Sequence, residues 1–256
     1  MRSSQEIRRL RPASRRLNVL GALMLSVGGM ALTGCNHIHG RPGPGPEVVR
    51  PEEVLDFPTL YKENCAACHG ATGKGGAALA LANPVYLAVA GEDNLQRTIS
   101  KGVNGKLMPP FAQSAGGMLT DQQVAVLAKG ILQTWGTPNV LAGQNPPPYL
   151  ATLTGDAEHG QQAFTTSCAR CHGATGEGRS QGTKGKLGSI VDPSYLALIS
   201  DQDLRSLMIA GRPDEGMPDW RTDSSQPLTD QQITDITAWL ASKRVSDPGQ
   251  PYRTHP

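Results

Sequence analysis

The sequence predicts a mainly α-helical protein made of two tandem copies of one small domain. The first observation behind this is a repeat: Cys65-Ala-Ala-Cys68-His69-Gly-Ala-Thr-Gly returns 103 residues later as Cys168-Ala-Arg-Cys171-His172-Gly-Ala-Thr-Gly. The second is that Pro84-Val-Tyr-Leu-Ala, Met108-Pro109 and Leu119-Thr-Asp-Gln-Gln all return 109 residues later, as Pro193-Ser-Tyr-Leu-Ala, Met217-Pro218 and Leu228-Thr-Asp-Gln-Gln. The third is helical spacing of apolar residues near the end of each copy, at Val124, Leu127, Ala128 and Ile131, then at Ile233, Ile236 and Leu240. No strand pattern stands out. The six-residue difference between the offsets falls in the Gly/Lys-rich loop 176–191.

In chain order, residues 1–34 read as a targeting segment. Arg2 to Arg16 form a basic stretch, and residues 17–32 form an apolar stretch. That stretch is shorter than the roughly 20 residues a spanning helix needs. It ends in Leu32-Thr33-Gly34-Cys35, which resembles the lipobox of bacterial lipoproteins. The resemblance implies cleavage before Cys35, acylation of Cys35, and a protein lipid-anchored in the cell envelope and facing the periplasm. Residues 35–50 follow as a Pro/Gly-rich, extended tether. The first domain spans 51–136, a linker stiffened by Pro146–Pro148 spans 137–154, the second domain spans 155–245, and 246–256 form a tail.

Each copy is expected to open with a short helix leading into its Cys pair. A middle helix follows Tyr86 or Tyr195. A last helix is N-capped by Thr120 or Thr229, where a hydroxyl can accept from a free N–H of the first turn.

The formal charge of +2 conceals an asymmetry. Residues 1–34 hold six of the 24 basic residues and one of the 22 acidic ones, so the rest carries 18 basic and 21 acidic residues, a net of −3. No basic patch for nucleic acid survives outside the leader. Aromatic residues are 4% of the chain, against 30 Gly and 20 Pro. A protein-only core from so few aromatics would be thin. A large apolar prosthetic group in each domain would thicken it.

Cys-x-x-Cys-His is an attachment signature for c-type haem. Cysteines at i and i+3 of a helical turn face one side and can reach the two vinyl groups of one porphyrin, and the next residue then directs an imidazole at the iron. A redox pair or half of a zinc site uses similar spacing. Two motifs with the same following residues, and a Met-Pro at matched distance, favour two haem c groups with iron centres. Cysteine use agrees: Cys65, Cys68, Cys168 and Cys171 go to haem and Cys35 to lipid, which exhausts the five cysteines.

Both halves resemble class I cytochrome c domains, and the pair resembles the diheme cytochromes of the c4 kind, over about residues 52–243. The resemblance implies His69 and His172 as proximal iron ligands and Met108 and Met217 as distal ones. It also implies a proline carbonyl that accepts the Nδ1–H bond of the proximal His, for which Pro84 and Pro193 are the candidates. Met118 and Met208 lack counterparts in the other copy and are expected to be core packing.

The family's first helix carries a Gly that packs against an aromatic of the last helix. The second copy keeps this with Gly160 and Trp239. The first has Phe57 and Gly130 at those positions, large and small exchanged, so Phe57 is expected to pack on Gly130.

With two protein ligands on each iron no position is open to a substrate, so the expected function is electron transfer between redox protein partners at the outer face of a bacterial membrane, with no catalytic residues and no small-molecule substrate. The alternative is a diheme subunit of a respiratory oxidase or dehydrogenase complex. A diheme peroxidase or thiosulfate dehydrogenase is disfavoured, because both copies carry Met-Pro and no spare Cys exists.

Overall fold

The computed structural model describes residues 45, 48–180, 186–221, 226–246 and 248. The targeting segment 1–34, Cys35 and nearly all of the tether lie outside the described residues, as does most of the tail. No described helix is long and apolar enough to cross a membrane.

The first copy contains α1 (Phe57–Asn64), α2 (Ala66–His69), α3 (Pro84–Lys101) and α4 (Asp121–Trp135). The second contains α5 (Ala157–Ser167), α6 (Ala169–His172), α7 (Pro193–Leu198), α8 (Asp201–Ala210) and α9 (Asp230–Ala241). Asp56 starts α1 by accepting from Thr59 N, and Asp156 starts α5 by accepting from Glu158 N and His159 N. Thr120 and Thr229 cap the last helices as expected. Each closes a capping box in which Gln123 or Gln232 bonds back to the cap residue.

The middle helix differs from expectation in both copies. It begins at Pro84 and Pro193, whose fixed φ suits the first helical position, so Tyr86 and Tyr195 lie inside it. It is also interrupted at aligned positions. In α3 the break is Gly91, at φ 67° and ψ 171°, a conformation that favours glycine. In the second copy Ile199 and Ser200 separate α7 from α8, and Ser200 caps α8. A second correction is a small antiparallel strand pair, β1 (Arg179–Ser180) with β2 (Lys186–Leu187), in the loop 176–191 that holds the six extra residues.

The first and last helices of each copy cross closely. A Cβ on Gly160 would stand 2.0 Å from the Asp235 carbonyl oxygen, so only hydrogen fits there. A Cβ on Gly130 would stand 2.1 Å from the Phe57 ring, which confirms the exchange of large and small. The aromatic ring lost from the Gly130 position is replaced from a later turn. Trp135 packs on Tyr61 with ring centroids 4.9 Å apart, much as Trp239 packs on Phe164 at 4.5 Å.

The described residues from Arg50 onward form one compact unit, and the copies meet within it. Asn83 Oδ1 caps α3 at Val85 N and Tyr86 N. Its Nδ2 donates to the carbonyls of Ala210 and Gly211 at the end of α8, at 3.2 and 3.1 Å. The positive end of one helix dipole thus meets the negative end of another. The linker is fixed, not a free spacer. Arg205, buried to 2% exposure, donates to the Pro148 and Tyr149 carbonyls and pairs with Asp230.

Candidate haem sites

Helices α1 and α5 each end in an irregular residue, Cys65 or Cys168, and the chain restarts as the single turn α2 or α6. That turn places both cysteines and the histidine of each motif. Gly70 and Gly173 end the turns at φ 82° and 85°. A Cβ on Gly70 would lie 2.0 Å from the Lys74 carbonyl oxygen, so the loop folds back tightly behind His69. None of the four thiols is in a disulfide. Burial, and then the neighbouring Cys, pushes the Cys65 and Cys168 thiols up to about 11. They sit in apolar surroundings, unlike a redox pair, whose reactive thiol is held low.

In the second copy Cys168, His172 and Met217 line one apolar cavity, walled by Phe164, Ile190, Tyr195, Leu204, Leu207, Met208, Ile236 and Leu240. In the first copy the aligned residues Tyr61, Leu81, Tyr86, Leu95, Ile99, Leu127 and Ile131 are core, and Cys65 and Met108 pack against them. Burial depresses both imidazoles, keeping them neutral as metal ligation requires, with the bond to Leu79 acting the other way at His69. Burial likewise raises Tyr86 and Tyr195 above their ordinary values.

The distal loops are held alike. Gly102 and Gly211, at φ 65° and 66°, each lie against the Met-Pro backbone, where a Cβ would come 2.6 Å from the Met108 or Met217 carbonyl oxygen. Val103 N donates to Met108 O, while Arg212 and Met217 exchange both backbone bonds. Met208 is buried and lines the second cavity, but Met118 is 83% exposed and is not core packing.

The proline expectation is corrected. His69 Nδ1 donates to the Leu79 carbonyl at 2.8 Å, not to Pro84, which stands five residues further on. As first residues of α3 and α7, Pro84 and Pro193 have their carbonyls committed to the helix ladder. His172 Nδ1 is buried with no partner among the described residues. A backbone carbonyl in an irregular loop has no residue signature, so Leu79 could not be read from sequence. The unequal His-to-Pro distances were the one hint that the prolines do not hold the role.

Two thiols at one turn with an imidazole beside them, and in the second copy a soft thioether lining the same apolar cavity, suit a covalently held haem. The two domains so defined are cytochrome c domains. Residues 157–243 match the family described as cytochrome c, and residues 52–129 match the family described as cytochrome c oxidase, cbb3-type, subunit III. The chain is a diheme class I c-type cytochrome with two covalently bound haem c groups.

Among curated relatives, the cbb3-type cytochrome c oxidase subunit FixPc of Rhizobium leguminosarum bv. viciae is 31% identical over 132 residues, 48% of this chain and 40% of that protein. The subunit CcoP of Rubrivivax gelatinosus is 32% identical over 130 residues, 50% of this chain and 36% of that protein. The chain thus matches well under half the length of these relatives. A chain of the solved Kuenenia stuttgartiensis reducing HAO-like protein complex Kustc0457/Kustc0458 aligns with TM-score 0.42 and 19% identity, covering 78% of this chain and 99% of that one.

Proposed function

We propose that this chain is the diheme electron-transfer subunit of a membrane-bound respiratory oxidase complex of the cbb3 kind. The observation that carries this is the match to oxidase subunits, by the first domain's family and by curated relatives such as FixPc and CcoP. It favours a bound subunit over the free carrier expected from sequence.

Haem c supplies an iron that takes up and releases one electron. In this reading Cys65 with Cys68, and Cys168 with Cys171, tether the porphyrins as thioethers. His69 and His172 would supply imidazole ligands to the irons and Met108 and Met217 thioether ligands, and soft sulfur ligation would raise the potential. Leu79 fixes the His69 ring through its Nδ1–H, leaving Nε2 for iron. With an imidazole and a thioether for each iron no position is left for a substrate, and redox proteins are the partners. Residues 51–136 and 155–245 act as the two haem domains. Cys35 carries the lipid that holds them at the periplasmic face.

The test is native electrophoresis of membranes solubilised in mild detergent, with haem staining. Migration with oxidase activity supports the subunit reading; a band running alone returns the chain to the free carriers. Intact mass tests the anchor separately: cleavage before Cys35 with added acyl mass is expected, and an unmodified mature N-terminus elsewhere would contradict it.

A further inference from the structure

The two copies differ in what lies between their last two long helices. In the second copy the chain's own linker crosses this groove. Gln202 Nε2 donates to the Tyr149 carbonyl at 2.8 Å, Arg205 donates to the Pro148 and Tyr149 carbonyls, and Asp230 neutralises Arg205 from the opposite helix. Counting back 109 residues, these positions are Asp93, Gln96 and Asp121. In the first copy they line an open cleft between α3 and α4 together with Arg97, Ser100 and Lys101.

The substitutions change what the cleft asks of an occupant. Gln96 stands where Arg205 stands, so no internal guanidinium reaches Asp121. Asp121 is exposed and has no ion pair among the described residues. Asp93 replaces Gln202 and adds a second carboxylate. Gln96 and Lys101 supply donors, while Arg97 bonds to Asn94 Oδ1 at 2.8 Å. An occupant that matches has unpaired backbone carbonyls for these donors and brings its own cation for the carboxylates. Proline-containing segments have such carbonyls. They are also extended before binding, so less entropy is lost on docking.

We propose that the α3–α4 groove of the first domain is a docking site for an extended, proline-containing segment of a partner protein that carries an arginine or lysine. The second copy shows the geometry with an intramolecular occupant. The first leaves it to a partner whose guanidinium or ammonium takes the place of Arg205. This surface is separate from the haem cavities and does not rest on the identity of the electron-transfer complex.

The probe is a labelled synthetic peptide copying Asn145-Pro-Pro-Pro-Tyr149 with a C-terminal Arg, compared with one ending in Glu. Each is titrated into the full haem-loaded protein by fluorescence anisotropy. The Arg peptide is expected to bind saturably, and the Glu peptide about tenfold more weakly, since like charges at a contact disfavour it. Asp121→Asn and Asp121→Lys should weaken the Arg peptide, the second by about tenfold. Gln96→Arg should remove the preference for Arg by supplying the guanidinium from within. Unchanged haem spectra and helical circular dichroism certify that the variants are folded. No saturable binding at millimolar peptide, equal binding to wild type and Asp121→Lys, or photo-crosslinks outside the groove would each overturn the proposal. So would intramolecular crosslinks showing that the groove is filled by the chain itself.

Discussion

The first and second domains share one plan and reach it with different residues. The last helix of the second packs on α5 because Gly160 has no side chain, and Trp239 supplies the ring beside Phe164. In the first, Phe57 fills the space over Gly130, and the ring beside Tyr61 comes from Trp135. The second fixes its entering chain with a buried Arg205. The first uses Gln123, whose Nε2 donates to the Pro51 and Val54 carbonyls at 2.7 and 3.1 Å. What is kept is the placement of Cys, His and Met and of the apolar residues packed around them. The comparison teaches that the haem environment is the constraint and the side chains around it are exchangeable if volume is conserved.

The largest expected effect comes from removing one attachment site. Cys65→Ala with Cys68→Ala should reduce haem from two per chain to one, and Cys168→Ala with Cys171→Ala should remove the other. Each change should also loosen its own domain, because the cavity walls lose their filling. Haem per chain and limited proteolysis read both effects. Loss of both haems from one double variant would show that the domains do not load independently.

Next in size is the buried arginine. Arg205→Met leaves Asp230 without its pair and the Pro148 carbonyl without its donors, while Tyr149 keeps Gln202, and should cost about 3 kcal/mol in denaturant unfolding. Gln96→Met, at the aligned position, should change stability by less than about 0.5 kcal/mol. Similar costs for the two would erase the distinction drawn between the linker-filled and open grooves.

The glycine exchange gives a smaller effect. Gly160→Ala drives a methyl against the Asp235 carbonyl and should destabilise by about 1–3 kcal/mol, because backbone must move. Gly130→Ala meets the Phe57 ring and should also destabilise. Phe57→Gly combined with Gly130→Ala removes the ring that the new methyl would strike and should cost less than the sum of the separate changes. Strict additivity in that cycle would mean that the two positions are not coupled.

Much of this was legible in the chain. The repeat register placed both motifs, both Met-Pro loops and both capping Thr residues, because these depend on local spacing and on side chains with distinctive chemistry. The exchange of Phe57 and Gly130 was also readable, since it follows from aligning one copy on the other. Three features were not. The Leu79 carbonyl is backbone, which every residue has. Arg205 looks like a surface residue of an amphipathic helix until the linker is seen folded over it. The strand pair in the loop 176–191 contains only two residues per strand, too few for an alternating pattern to register. Met118 was misread because lack of a counterpart in the other copy does not by itself imply burial.

The central claim is that both irons have a protein thioether opposite the histidine, from Met108 in one domain and Met217 in the other. Carbon monoxide binding to the reduced protein, followed optically, tests it most directly. The unmutated protein should bind poorly at both haems and show the weak far-red sulfur-to-iron band when oxidised. Met108→Ala should open the first haem alone and Met217→Ala the second alone. Rapid binding at either haem of the unmutated protein would contradict the claim and identify that iron as an open, potentially catalytic site.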